Sequence, residues 1–134
     1  MSMALAQKLA AQSVAAVAAG QNLQDTLDGI RAAHPELSVQ ENGALQDIAY
    51  GCQRYLGSLK HMLSQMLKKP VDNRELESLL LAALYQLHYT RNAPHAVVNE
   101  AVEAIAKIGR GQYRSFANAI LRRFLLKDYR DGAQ

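Results

Sequence analysis

The residues of this 134-residue chain whose types could do chemistry gather near its end. Lys107, Arg110, Arg114, Arg122, Arg123, Lys127 and Arg130 all fall within residues 107–130, where Asp128 is the one acidic residue. Arg110 and Arg114 flank the predicted start of a last helix. Free backbone N–H groups and the helix dipole already favour an anion there. Arg122 and Arg123 continue along the predicted solvent face of that helix. Arg91 sits in an earlier loop that should come back near the same region. Tyr113 and Tyr89 are candidates to stack on unpaired bases. Such a set is suited to holding a polyanion, and RNA is the first candidate. Each arginine would position phosphate rather than read a base alone. The plainer reading is a solvated helix face that happens to be basic.

Other reactive side chains form no constellation. No two of His34, His61, His88 and His95 stand four residues apart, and no carboxylate lies between a pair, so no metal site is indicated. Cys52 falls on an apolar stripe and reads as an inert core thiol. Gly109-x-Gly111 approaches a dinucleotide fingerprint, but it follows a predicted helix and Arg114 occupies the third glycine position. A structural turn is the better reading. Asn99 and Asn118 lie on predicted helices where Ala has the higher propensity. Buried hydrogen bonding explains them simply, and direct RNA contact is the sharper alternative.

Charge is distributed unevenly. The total is +3, yet residues 1–53 carry −3 and residues 54–134 carry +6. A charge concentrated at one end says more about a polyanion partner than the total does. Cys52 is the only cysteine, so an intrachain disulfide is excluded and a reducing cytoplasm is the default expectation. Gln7, Lys8, Gln12 and Ser13 break any signal-peptide core in the Ala-rich start. No run reaches the roughly 18 apolar residues that span a membrane. The length favours one domain, residues 1–134, with a real core.

The elements that must position these residues are helices. Leu, Ala and Gln are plentiful, while Pro numbers 3 and Trp 0. A central helix over about Asn73–Thr90 is apolar on nearly every side and should be buried. Asp72 and Glu75 have capping-box spacing at its start. Before it, Met3–Ala19 predicts a helix stopped by Gly20, and Asn22 caps a second that ends at His34-Pro35. Ser38–Lys69 is the longest helical stretch, with glycines at 43, 51 and 57. Close packing is expected at Gly51, with a break near Gly43 the alternative. After the central helix, Pro94 opens another to about Ile108. Glu103 and Lys107 should pair outward on it. The last helix, about Gln112–Leu126, should bury Phe116, Ala117, Ile120, Leu121 and Phe124. The polar tail from Asp128 to Gln134 should fray.

Several blocks resemble one family. Leu84-Tyr85-Gln86-Leu87, Pro94-His95, Val98-Asn99-Glu100-Ala101-Val102-Glu103 and Phe116-Ala117-Asn118-Ala119-Ile120-Leu121-Arg122 look like signatures of the NusB-like domain. The likeness is strong from Leu76 onward and weak before Val39. It implies an all-α helical bundle of about seven helices that binds RNA. Such domains occur as a free-standing transcription antitermination factor and at the N-terminus of rRNA cytosine-C5 methyltransferases of the Sun/Fmu (RsmB) family. Tyr85-Gln86-Leu87 with Tyr89-Thr90-Arg91 and Pro94-His95, and the ending Asn118-Ala119-Ile120-Leu121-Arg122-Arg123-Phe124, look more like the methyltransferase form. The arginine-rich first helix of the free-standing form is reduced here to Lys8.

The resemblance implies that the chain itself is not the enzyme. That family's chemistry uses two cysteines, and Cys52 cannot fill both roles. No strand with a glycine-rich turn is present for S-adenosylmethionine. The expectation is an N-terminal domain that recognises rRNA, with catalysis and cofactor in a C-terminal methyltransferase domain of the same protein. The RNA-binding set is Arg91, Lys107, Arg110, Arg114, Arg122, Arg123 and Lys127. No catalytic, cofactor or metal residue is expected in the chain, and no membrane partner. Two alternatives stand beside it. One is a free-standing antitermination factor with a ribosomal-protein partner. The other is a helical domain that docks a protein, through Leu125, Leu126 and the Ala face of the first helix.

Overall fold

The computed structural model describes residues 3–132, with side chains described up to Lys127. The described residues form seven helices and no strand, as the sequence predicts for an all-α chain. They are α1 (Ala4–Ala18), α2 (Leu23–Ala33), α3 (Val39–Arg54), α4 (Leu56–Gln65), α5 (Arg74–Tyr89), α6 (Pro94–Ala106) and α7 (Arg114–Gly132).

Helix α5 is the axis of the bundle. Leu76 and every residue from Ser78 to Leu87 are buried. It packs against α1, α3, α4, α6 and α7. Burial on all sides explains why its apolar residues do not keep to one stripe. Its N-cap is Asn73, whose side chain accepts from the Leu76 N–H at 2.9 Å. The predicted cap, Asp72, lies one residue too early. The box forms instead at α3, where Ser38 Oγ accepts from the Glu41 N–H and Glu41 Oε1 accepts from the Ser38 N–H.

The predicted Ser38–Lys69 helix is two helices. They meet at Tyr55, two residues before Gly57, and Gly43 lies inside unbroken α3. No local breaker dictates that site. Tyr55 stacks face to face on Tyr89, with ring centroids 3.9 Å apart, so a tertiary contact holds the bend. Gly51 packs closely, as expected: a Cβ there would overlap the Tyr85 ring.

Helix α6 starts at Pro94 and ends at Ala106, short of Ile108, which is nevertheless buried. Gly109 and Gly111 both take positive φ, so the Gly-x-Gly segment is a turn. Helix α7 buries Ala117, Ile120, Leu121 and Phe124, but Phe116 is 39% exposed, against expectation. Its helical backbone runs to Gly132, past the predicted stop near Leu126. The side chains of the predicted frayed tail lie outside the described residues. A buried amide pair ties α1 to α5: Gln7 Nε2 donates to Gln86 Oε1 at 2.9 Å and to the Val97 carbonyl at 3.3 Å.

Candidate nucleic-acid interface

Helix α7 carries most of the predicted site, and its geometry divides that set. A helix advances roughly 100° per residue, so residues eight apart stay on one side and residues nine apart reach opposite sides. Arg114, Asn118 and Arg122 therefore form one stripe. Arg123 and Lys127 form a second, which also carries Phe116 and Ala119. Between them the helix is solvent-exposed, and no acidic residue interrupts the arc from Arg114 to Lys127.

The first stripe faces α6, which runs antiparallel to α7. Arg114 Nη2 pairs with Glu103 Oε1 at 2.8 Å, both side chains remaining mostly exposed. The predicted outward pair of Glu103 with Lys107 is therefore replaced, because the chain turn brings Arg114 to the carboxylate. Arg122 Nε donates to Asn118 Oδ1 at 2.9 Å. Asn99, Val102, Glu103, Arg114, Ser115, Asn118 and Arg122 enclose a polar cleft of about 270 Å³.

The second stripe faces the α4–α5 connector. Arg123 Nη2 donates to the Met66 carbonyl at 2.7 Å, closing a free acceptor at the end of α4. Around it lies a groove of about 480 Å³ floored by Leu67, Val71, Leu76, Phe116 and Ile120. Lys68, Lys69 and Arg123 stand among its lining residues, and Asp72 is the one carboxylate there. Lys68 and Lys69 precede Pro70 just beyond the C-terminal end of α4, where cations suit the helix dipole. Their meeting with Arg123 depends on how α7 packs.

The remaining predicted residues lie at the two ends of α6. Lys107 and Arg110 are exposed in the α6–α7 turn, where Gln112 Oε1 accepts from the Arg110 N–H at 2.7 Å. Arg91 is exposed in the α5–α6 connector. The thirteen residues of α6 separate these ends by roughly 20 Å at 1.5 Å per residue. His88, just before that connector, approaches the Phe124 ring at 6.2 Å. Arg91 thus returns beside the later turns of α7 and not beside its start. Tyr113 lines the apolar groove and is half-buried. Tyr89 is committed to Tyr55 on one face and meets His88 edge-on, so it is not a free stacking platform.

Chemistry at Cys52 is suppressed. The thiol is fully buried, and burial, then the nearby Asp47 charge, push its pKa up to about 12. The Tyr85 hydroxyl donates to Asp47 Oδ1 at 2.8 Å, and burial followed by that bond raises its pKa too. Among the described residues no group of three His, Cys, Asp or Glu could hold a metal, and no helix is long and apolar enough to cross a membrane.

The model of the NusB family matches residues 4–126. The chain belongs to the NusB family. Its curated relatives include the ribosomal RNA small subunit methyltransferase B of Sodalis glossinidius (strain morsitans), 36% identical over 119 residues. That match covers 87% of this chain and 27% of the relative. The protein of the same name from Pectobacterium carotovorum subsp. carotovorum (strain PC1) is 34% identical over 118 residues, 84% of this chain and 28% of its own length. The chain thus spans little more than a quarter of these relatives. Within this NusB-family chain the matched region includes both stripes of α7 up to Leu126, so Lys127 stands just outside it.

Proposed function

We propose that this chain binds RNA through the exposed arc of α7 and presents rRNA to a cytosine-C5 methyltransferase domain. One observation carries the reading: the arc from Arg114 to Lys127 displays cations along its exposed length with no carboxylate on α7 among them. Lys107 and Arg110 extend it at one end and Arg91 at the other. Membership of the NusB family and likeness to proteins named as rRNA methyltransferases support the same substrate class. The chain acts here as a recognition module in the cytoplasm, without catalytic residues of its own. The reading assigns S-adenosylmethionine to the methyltransferase domain; the position of the Gly109–Gly111 turn between two helices supports reading it as structural.

The test is fluorescence anisotropy with a fragment of small-subunit rRNA across a salt series. Binding should weaken steeply as salt rises. Arg114→Ala with Arg122→Ala should lower the logarithmic salt slope by about 2, one for each phosphate no longer neutralised. Both side chains are exposed, so the fold should survive. An unchanged slope removes this surface from the reading.

The apolar groove favours a second reading, a protein-docking site. Its exposed Phe116 and its lysines suit a protein segment that carries apolar side chains flanked by carboxylates, as on a methyltransferase domain. Phe116→Ser should then abolish association with the separately produced domain. The RNA salt slope should stay where it was. Loss of RNA binding alone would assign the groove to RNA.

A further inference from the structure

We propose that the polar cleft between α6 and α7 reads the edge of one unpaired base that carries an exocyclic amino group in the bound RNA; this rests on the RNA-binding reading above.

The hydrogen-bonding inventory of the cleft motivates it. Asn118 Oδ1 accepts from Arg122, which orients the amide and leaves its Nδ2 donor without a partner among the described residues. The Asn99 carboxamide, facing it from α6, likewise has no partner among them, nor does the Ser115 hydroxyl. Two carboxamides on adjacent antiparallel helices therefore offer donors and acceptors across one opening. Val102 lies at the bottom, 7% exposed, and gives the face of a base an apolar seat. A volume of about 270 Å³ suits one base and lies just below the range of pockets for larger ligands.

Phosphate alone does not explain these residues. A phosphate accepts hydrogen bonds only, and the Glu103 carboxylate at the rim repels it. That carboxylate can instead accept from an exocyclic amino group, as carboxylates do with cytosine N4. A carboxamide can pair with the amino group and ring nitrogen of adenine in the same way. A carboxamide alone also pairs with the O4 and N3–H of uracil, so the discrimination rests on the Glu103 carboxylate, which accepts from an amino group and repels the O4 that uracil presents in its place. Arg114 and Arg122, at the two ends of the cleft, are placed to hold the flanking phosphates. The division between backbone contacts and base contacts is the general one, and unpaired bases are what proteins read in RNA.

The experiment uses four fluorescent heptamers in one buffer: all-uridine, and uridine with one central adenine, cytosine or guanine. The backbone charge is identical, so a difference reports the base. The wild-type chain should bind at least one of the three substituted heptamers about five-fold more tightly than all-uridine, a modest share of a full bidentate base contact. Asn99→Ala should erase that preference while keeping the affinity for all-uridine; Asn118→Ala should erase it too, with weaker binding of every heptamer because Arg122 loses its anchor. Asn99 is exposed, so its variant guards against a folding failure at half-buried Asn118. Lys107→Ala with Arg110→Ala, exposed cations outside the cleft, should weaken every heptamer alike. Equal affinities in the wild type, or a preference that survives both asparagine variants, overturns the proposal. Failure of every heptamer and of the rRNA fragment would overturn the RNA reading itself, an outcome distinct from lost discrimination.

Discussion

Single residues decide where this chain can be changed. At Gly51 an added methyl meets the Tyr85 ring, so Gly51→Ala should cost about 1–3 kcal/mol in urea unfolding. At Gly43, exposed in mid-helix with nothing nearby, Gly43→Ala should gain about 0.5–1 kcal/mol. Glu103→Gln should release Arg114 from its ion pair and raise affinity for all-uridine RNA, read by anisotropy. Cys52 and Tyr85 make the fold sensitive to alkali. Both protons are held more tightly in the folded state, with the thiol moved from 9.0 to about 12. Their stabilising contribution is complete below about pH 9 and shrinks as pH climbs toward 12, because the unfolded chain ionises first. Cys52→Ala should flatten that decline in a pH series of urea midpoints. Much at this scale was legible. The interruption of an apolar stripe by Gly51 signals a close approach, and Cys52 on the same stripe signals burial. Phe116 was not legible, since helical periodicity puts it near the core edge and only the packing of α7 leaves its ring in a groove.

Among the elements, those with strong local signals were readable. Asn22 caps α2, Pro94 opens α6, and the continuous apolar run of α5 demands a central place. Elements set by tertiary contacts were not. The α3–α4 break has no Pro or Gly at its centre, and its cause is a ring stack with α5, 34 residues further along the chain. Capping spacing occurs at both Ser38/Glu41 and Asp72/Glu75, and the backbone satisfies only the first. Ser38→Ala should therefore lower stability by about 1 kcal/mol, measured by thermal or urea unfolding. Asp72→Ala should leave it nearly unchanged, because Asn73 is the residue that caps α5.

The whole molecule brings together cations that the sequence presents as one cluster and sorts them differently. Arg122 and Arg123 are neighbours in the chain, yet one looks across α6 and the other toward the end of α4. Adjacent positions on a helix diverge by roughly 100°, so proximity in sequence misleads here. Lys68 and Lys69, distant in sequence, join Arg123 instead. This arrangement bears on the footprint of any bound strand. With the helix roughly 10–12 Å thick, an oligonucleotide must drape over its crest to engage both flanks together. Very short oligonucleotides can occupy one side alone. Tightness should therefore climb in a step, not a smooth ramp, once successive lengthening lets one strand straddle the ridge.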